Sequence, residues 1–332
     1  MRLEACGELR QLPAGESPAI SAVMFAAGAL GNVLALALLL RARRRRGGGK
    51  GQRGPFHVLL AGLVGTDLLG TCLLSPVVLA AYGRNSSLEA LGPRVCGGFG
   101  FGMSFFGLAT PLLLGALALE RCVALARPYL YARLRGRARA GALRALPALY
   151  GLALAGAAPP LLGWGRYEQH CPGTWCFVRM RRGGAYPLLY ASLLLALVAA
   201  VLLCNLGAAA ALLRMRHRRP GPPAALAREM DHLVLLAVVT VTFVVCSLPF
   251  TFRVYVNHFT QSENYQEDLR ALRFLSMNSI IDPWIFAILR PPVLRLIHSV
   301  LCCEMSCKTK KEAPTLAVEQ AELNKQTDLC SQ

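Results

Sequence analysis

Two ionisable residues, Arg273 and Asp282, interrupt an apolar stretch near the end of the chain. A charge inside an apolar segment is costly, so such a residue usually serves a function. Arginine stays charged and binds a carboxylate through two parallel hydrogen bonds, which makes Arg273 a candidate anion-binding residue. On a helix, the nine residues from Arg273 to Asp282 correspond to about 13.5 Å. The sequence therefore predicts two separate polar sites on one helix.

The anion-binding interpretation of Arg273 has alternatives. Arg273 could instead pair with Glu267 or Asp268 and only anchor its helix. Two further arginines, Arg253 and Arg270, are rival cations for the same anion, and Arg270 is nearer the solvent in this interpretation.

Asp67 and Asp282 lie in two different apolar segments. Two buried carboxylates near each other would share a proton or a cation, and Pro283 beside Asp282 supplies a natural kink. Both residues are therefore candidates for a conformational switch. The alternative is that each carboxylate only hydrogen-bonds a hydroxyl group or the side chains of Asn32 and Asn278.

The triplet Glu120-Arg121-Cys122 ends the third apolar segment. Arg121 could simply extend its head group to the solvent, as arginine does at a membrane surface. It could also form a latch with Glu229 or Asp231 at the start of the sixth segment. Glu120 and Arg121 are thus candidates for a second switch.

Composition indicates which elements hold these residues. Hydrophobic residues make up 55% of the 332 residues, and mean hydropathy is +0.44, which is too apolar for most soluble domains. Seven apolar runs are long enough to cross a bilayer as helices, which takes about 20 residues. The runs are Ile20–Leu40, Phe56–Tyr82, Cys96–Leu119, Leu143–Leu162, Tyr186–Leu213, Leu233–Val256 and Leu269–Leu289. We expect an all-α, seven-transmembrane helix bundle.

The net charge of +18 comes from basic residues in short segments between the apolar runs. They follow the first, third and fifth runs, and cytoplasmic loops carry such an excess. The N-terminus is therefore predicted outside the cell and the C-terminus inside, in a multi-pass plasma-membrane protein without a cleavable signal peptide. The basic loops fit anionic lipid and require no nucleic acid as a partner.

The chain divides into four parts without a second folded domain. They are an extracellular N-terminus (1–18), a seven-transmembrane bundle (19–290), an amphipathic juxtamembrane helix (291–303) and a disordered cytoplasmic tail (304–332). The apolar spacing after the double proline favours a helix lying on the membrane surface. Cys302 and Cys303 follow it as candidates for palmitoylation, with plain reduced thiols as the alternative.

Four cysteines, Cys6, Cys96, Cys171 and Cys176, lie on the predicted outer side. Disulfides form in that oxidising environment, and four cysteines allow three pairings. A loop cysteine bonded to Cys96 would hold its loop over the mouth of the bundle. Asn85 begins a glycosylation acceptor, Asn85-Ser86-Ser87, on the same side. No spacing of histidine and cysteine suggests a metal site, and no cofactor is expected.

Several short motifs resemble those of rhodopsin-like (class A) G-protein-coupled receptors. They are Asn32 in GN, Asp67 in TDLLG, Glu120-Arg121-Cys122, Cys246-Ser247-Leu248-Pro249 and Asp282-Pro283-Trp284. The loop GRYEQHCPGTWCF (Gly165–Phe177) and the segment ALRFLSMNSIIDPW (Ala271–Trp284) are similar to prostanoid receptor signatures. The resemblance covers nearly the whole chain and is nearest to the members that bind prostaglandin E2 and raise cyclic AMP. The run Pro128–Leu134 is also similar to the prostacyclin-binding member.

The resemblance implies a site for the carboxylate of prostaglandin E2, a lid over it and a route to a G protein. The residues implied for ligand binding are Arg273, Tyr82, Thr174, Trp175, Ser21, Met24 and Ser276. The residues implied for switching and G-protein coupling are Glu120, Arg121, Asp67, Asp282 and Pro249. The implied disulfides are Cys96–Cys176 and Cys6–Cys171.

The resemblance implies a receptor and not an enzyme, with a stimulatory G protein, arrestin and membrane lipid as partners. The alternatives are prostacyclin or prostaglandin D2 as the ligand, or an organic-anion transporter. Transporters commonly contain internal repeats, and the sequence has none. The chain departs from the family pattern at Cys122, where an aromatic residue is usual, and at Pro111 inside the third segment. An interior proline removes a backbone hydrogen bond and kinks the helix.

Overall fold

The computed structural model describes residues 9–45, 55–92, 94–180, 184–218, 223–260 and 264–289. Its helices are α1 (Ala19–Arg45), α2 (Pro55–Gly83), α3 (Leu88–Leu91), α4 (Val95–Ala126), α5 (Pro128–Ala157), α6 (Ala185–Arg218), α7 (Pro223–Thr260) and α8 (Tyr265–Ile288). A 3-10 helix at Pro159–Leu162 and two strands, β1 (Tyr167–His170) and β2 (Trp175–Val178), connect α5 to α6. All helices except the four-residue α3 are long, so seven long helices correspond to the seven predicted segments.

Five helices in the described ranges are long and apolar enough to cross a membrane, namely α1, α2, α4, α6 and α7. Helix α5 starts at Pro128, well before the predicted Leu143, because proline is favourable in the first turn of a helix. Its arginine-rich first half lowers its hydropathy, and its apolar part is Gly141–Ala157. Helix α8 is not among these five because it begins with acidic residues and carries further charges, which make it less apolar.

Helix α4 lies at the centre of the bundle and packs against α2, α5, α6 and β2. Leu108, Leu113 and Leu117 on α4 are fully buried. Small residues let the neighbouring helices approach, since a Cβ atom at Gly156 of α5 would lie 2.6 Å from Leu108 Cδ1. Close packing of this kind stabilises helix association in membranes, where apolar burial contributes little.

An antiparallel hairpin covers one end of the bundle. We call Tyr167–Val178 the lid, and the end of the bundle under it the lid end; Tyr167 pairs with Val178 across the hairpin. Cys176 in the lid is bonded to Cys96 at the start of α4, as predicted. Burial raises the pKa of the Tyr167 hydroxyl, and this hydroxyl donates to the Ala157 carbonyl oxygen at 2.7 Å. The lid is thereby attached to both α4 and α5.

The segment before α1 is attached to the lid as well. Gln169 is buried, and its Nε2 donates to the Leu9 carbonyl oxygen at 3.1 Å. Its Oε1 accepts a hydrogen bond from the Glu89 backbone N–H at 3.0 Å. One side chain therefore connects the first described residues, the α2–α4 connection and the lid.

Some predictions fall on parts of the chain that the structure does not describe. Cys171 is disulfide-bonded, but its predicted partner Cys6 lies outside the described residues. The predicted amphipathic helix 291–303, with Cys302 and Cys303, and the predicted tail 304–332 also lie outside them.

Candidate ligand-binding cavity

A cavity of about 110 Å³ lies under the lid, between α1, α2, α4 and α8. Four residues implied for ligand binding line it: Ser21, Met24, Trp175 and Ser276. The other lining residues are mainly apolar near the lid and more polar further in, where Asp67, Thr110 and Asn278 contribute.

Arg273 lies one turn nearer the lid end than Ser276, on the same face of α8. Its side chain is half-buried, and it does not itself line the cavity. No hydrogen bond or ion pair joins Arg273 to any other residue in the described ranges. The cation is therefore positioned beside the cavity without a protein counter-charge in that part of the chain.

The alternative partners of Arg273 are both engaged elsewhere. Asp268 accepts a hydrogen bond from Arg253 Nε at 2.7 Å, and it also accepts from Asn257 Nδ2 at 3.1 Å. Glu267 pairs with Arg270 at 2.7 Å. The hypothesis that Arg273 is an anchor paired with one of these acids is therefore wrong, and both rival arginines have their own carboxylates.

Two side chains of the lid have buried donors without a partner among the described residues. They are the Thr174 hydroxyl and Trp175 Nε1. Trp175 lines the cavity, and its ring meets that of Phe99 edge-on at 6.1 Å between centroids. Tyr82 is half-buried, and neither Tyr82 nor Thr174 is a lining residue.

A polar cluster lies beyond the other end of the cavity, formed by Asn32, Asp67, Asn278 and Asp282, all buried; Asp67 and Asn278 also line the cavity. Thr110 Oγ1 donates to Asp67 Oδ1 at 2.7 Å, so Asp67 does bind a hydroxyl group, as one hypothesis proposed. Asp282 lies within electrostatic range of Asp67. One oxygen atom on each of the four cluster residues has no hydrogen-bond donor in the described part of the chain.

The two asparagines of the polar cluster do not hydrogen-bond its carboxylates. Asn32 Nδ2 donates to the carbonyl oxygens of Gly28 at 3.0 Å and Ser279 at 2.9 Å. Asn278 Nδ2 lies 3.5 Å from Ser247 Oγ. The hypothesis that these asparagines satisfy the two acids is therefore wrong.

Glu120 and Arg121 lie at the end of α4 opposite the lid. Arg121 is buried and donates to Glu120 Oε2 through Nε at 2.6 Å. Tyr131 of α5 also donates to Glu120, and the Arg121 guanidinium stacks 4.8 Å from the Phe56 ring centroid. The hypothesis of a solvent-extended Arg121 is therefore wrong.

Two acidic residues, Glu229 and Asp231, were predicted as latch partners of Arg121. Asp231 forms no ion pair with Arg121, and the side chain of Glu229 lies outside the described residues. The sequence did not predict Tyr131 and Phe56 as partners of Glu120 and Arg121. The two tyrosines in the run Pro128–Leu134, just before an arginine-rich segment, were the available signal for Tyr131.

Pro249 lies inside α7 next to Phe250, which is fully buried. The Phe250 ring is 5.4 Å from that of Phe177 in the lid and 5.9 Å from that of Tyr190 in α6. We call these three rings the ring cluster, and their edge-on geometry is favourable for aromatic pairs. The cluster connects the lid to the proline of α7, and no sequence pattern predicted it.

Comparison with known proteins identifies the family that has this architecture. The family model described as "7 transmembrane receptor (rhodopsin family)" matches residues 31–286. The chain is 51% identical to the prostaglandin E2 receptor EP2 subtype of Homo sapiens, over 98% of this chain and 97% of that protein. The EP2 subtype of Mus musculus is also 51% identical, over 99% of this chain and 97% of that protein.

The prostacyclin receptor of Homo sapiens is 45% identical, over 90% of this chain and 80% of that protein. These matches exclude the transporter and enzyme classes and confirm the resemblance drawn from the motifs. The chain therefore belongs to the rhodopsin family of seven-transmembrane receptors and, within it, to the prostanoid receptors.

Proposed function

We propose that this receptor binds prostaglandin E2, activates a stimulatory G protein and raises cyclic AMP. The observation that carries the proposal is a largely apolar cavity under the lid with an arginine one turn beyond its lining residue Ser276, and this arginine has no described counter-charge. A prostaglandin is a long-chain carboxylic acid with few hydroxyl groups. Its chains fit an apolar cavity, and its single charge requires one cation.

The donors at the lid end match the carboxylate. Arg273 supplies the charge, and a guanidinium binds both carboxylate oxygens at once. Thr174 and Trp175 have buried donors without partners in the described chain, and a buried donor left unpaired costs roughly 1–3 kcal/mol. A ligand carboxylate would remove that cost. Tyr82, at the same end of α2, is the fourth proposed donor, and Ser21, Met24 and Ser276 line the ligand chain.

The proposed route to the G protein runs along α7. Ligand contact at Trp175 is transmitted through the ring cluster to Phe250 and the adjacent Pro249. Movement of α7 would then open the end of the bundle at Arg121, where the Glu120 and Phe56 contacts hold the resting arrangement. Asp67 and Asp282 are the other proposed switch, between the ligand and that end.

The proposed orientation places the lid outside the cell and the basic end in the cytosol, as the positive-inside rule requires. The Cys96–Cys176 disulfide fits an oxidising environment on the lid side. Asn85 is exposed in the turn after α2, which supports its proposal as a glycosylation site. The Cys6–Cys171 disulfide, palmitoylation at Cys302 and Cys303, and arrestin and lipid as partners remain proposals.

The proposal is tested by expressing the receptor in cells and measuring cyclic AMP against prostaglandin E2, prostaglandin D2 and a prostacyclin analogue. We expect prostaglandin E2 to be the most potent. Its methyl ester, tested in an esterase-free membrane binding assay, should bind far more weakly because it lacks the charge. Surface-expressed receptor that responds to none of these acids would refute the function, and equal binding of acid and ester would refute the role of Arg273.

A further inference from the structure

Pro111 lies inside α4, the central helix of the bundle. Proline has no backbone N–H, so the carbonyl group four residues earlier in a helix loses its usual donor. In α4 that carbonyl belongs to Gly107. Gly107 and Pro111 both line the cavity, so the released acceptor belongs to the cavity wall.

The described side chains around Gly107 do not satisfy this oxygen. Glycine has no side chain to cover its own carbonyl group. A Cβ atom at this position would lie only 2.6 Å from the Tyr190 hydroxyl oxygen, which explains why a larger residue does not fit. The Tyr190 hydroxyl donates to the Ser104 carbonyl oxygen instead, at 3.2 Å. No side chain in the described ranges donates to Gly107.

Elsewhere in this protein, a side chain donates a hydrogen bond to a carbonyl group that a proline has released. Pro283 in α8 releases the carbonyl group of Ser279, and Asn32 Nδ2 donates to that oxygen at 2.9 Å. Side-chain donors commonly restore the bonds that prolines remove from membrane helices. Asn32, on α1, is the side-chain donor to the Ser279 carbonyl oxygen. No side chain in the described chain donates to the Gly107 carbonyl oxygen in the same way.

The three remaining prolines inside the described helices release carbonyl groups that lie away from the cavity. Pro76, Pro147 and Pro249 release the carbonyl groups of Cys72, Leu143 and Val245. These three residues lie on exposed faces of their helices, away from the cavity. Pro111 is therefore the one described interior proline that adds an acceptor without a side-chain donor to the cavity wall.

We propose that the Gly107 carbonyl oxygen accepts a hydrogen bond from the hydroxyl group on the ligand chain that lacks the carboxylate. Pro111 is then a positioning residue that determines the preference for a hydroxylated over a deoxygenated chain. This inference rests on the proposed function and adds a second polar contact to it. The carboxylate is held at the lid end by Arg273, so the hydroxyl contact on α4 fixes the opposite part of the ligand.

The test compares two ligands on two receptor variants by competition binding to membranes. The ligands are prostaglandin E2 and its analogue without the chain hydroxyl. The variants are Pro111→Ala, which restores the N–H donor to Gly107, and Pro76→Ala, which restores a donor on an exposed face of α2. A hydrogen bond of ordinary strength predicts that wild type prefers the hydroxylated ligand by roughly 3- to 10-fold.

We expect Pro111→Ala to lose this preference, with weaker binding of the hydroxylated ligand and unchanged binding of the deoxy analogue. Pro76→Ala should keep the wild-type ratio, since it controls for straightening of a helix. A Pro111→Ala receptor that retains the preference, or that weakens both ligands equally, would overturn the proposal.

Wild type alone provides a test that does not depend on the folding of a variant. Equal affinity of wild type for the two ligands would overturn the inference while leaving the proposed function intact. Failure of wild type to bind either acid would overturn the proposed function together with this inference.

Discussion

The two ends of the cavity have opposite hydrogen-bonding character. At the lid end, the groups without described partners are donors: Arg273, the Thr174 hydroxyl and Trp175 Nε1. At the far end, they are acceptors: one oxygen each of Asn32, Asp67, Asn278 and Asp282. A ligand with an acid at one end and a hydroxyl at the other fits this difference in only one direction. We therefore expect the polar groups around the cavity, more than its volume, to orient the ligand.

The largest effect on this difference between the two ends is expected from creating a second unpaired cation at the lid end. Asp268→Ala removes the carboxylate that holds Arg253 at 2.7 Å. Both side chains are largely buried, so the loss should destabilise the receptor by about 3–5 kcal/mol. A large fall in thermal stability of detergent-purified receptor is the expected measurement. Glu267→Ala is the control, because its exposed pair with Arg270 should contribute less than about 1 kcal/mol.

Removing the unpaired cation itself takes the positive charge from the lid end and leaves only its neutral donors. Arg273→Ala should weaken binding of prostaglandin E2 by about 1.5–3 kcal/mol, the usual value of a hydrogen bond to a charged group. Its methyl ester should lose little, because it has no charge to pair. Competition binding gives both values, and Arg270→Ala is the matched control. Equal losses for acid and ester would show that Arg273 acts on the fold and not on the carboxylate.

A smaller change at the same end separates hydrogen bonding from ring packing. Trp175→Phe keeps an aromatic ring against Phe99 but removes the Nε1 donor. We expect a loss of about 1 kcal/mol in affinity for the acid, measured by the same competition assay. Trp164→Phe, at an exposed position, should change nothing. An unchanged affinity of Trp175→Phe would remove this donor from the carboxylate site.

An effect as small as that of Trp175→Phe is expected from adding a donor to the acceptor end. Asp67→Asn keeps the oxygen that accepts from Thr110 and replaces the unpaired oxygen with an amide N–H donor. It also removes the charge that acts on Asp282. Ligand-free receptor should gain about 1 kcal/mol of stability, seen as a higher midpoint of thermal unfolding. A lower midpoint would mean that the acceptors of this cluster are already satisfied in the resting receptor.

Much of the fold could be predicted because apolar runs of membrane length are read directly from the sequence. The start of α5 could not, since arginine-rich sequence near Pro128 is helical without being apolar. The availability of Arg273 also depended on tertiary contacts. Asp268 could have paired with any of three nearby arginines, and the packing of α7 against the start of α8 selected Arg253.

The same reason explains what sequence analysis missed at the two other sites. Burial of Arg121 follows from Phe56 and Tyr131, which come from different segments of the chain. At Pro111 the loss of an N–H is certain from the sequence, but only the three-dimensional arrangement places Gly107 on the cavity wall. The motifs identified the residue types, and the packing decided which of them had partners.

The attachments of the lid have a consequence for the kinetics of binding. The lid is held by the Cys96–Cys176 bond, by the two hydrogen bonds of Gln169 and by Phe177 in the ring cluster. For a ligand that leaves past the lid, several of these contacts would have to open together. We therefore expect the residence time of such a ligand to depend on how rarely the lid opens as well as on the strength of the carboxylate contact.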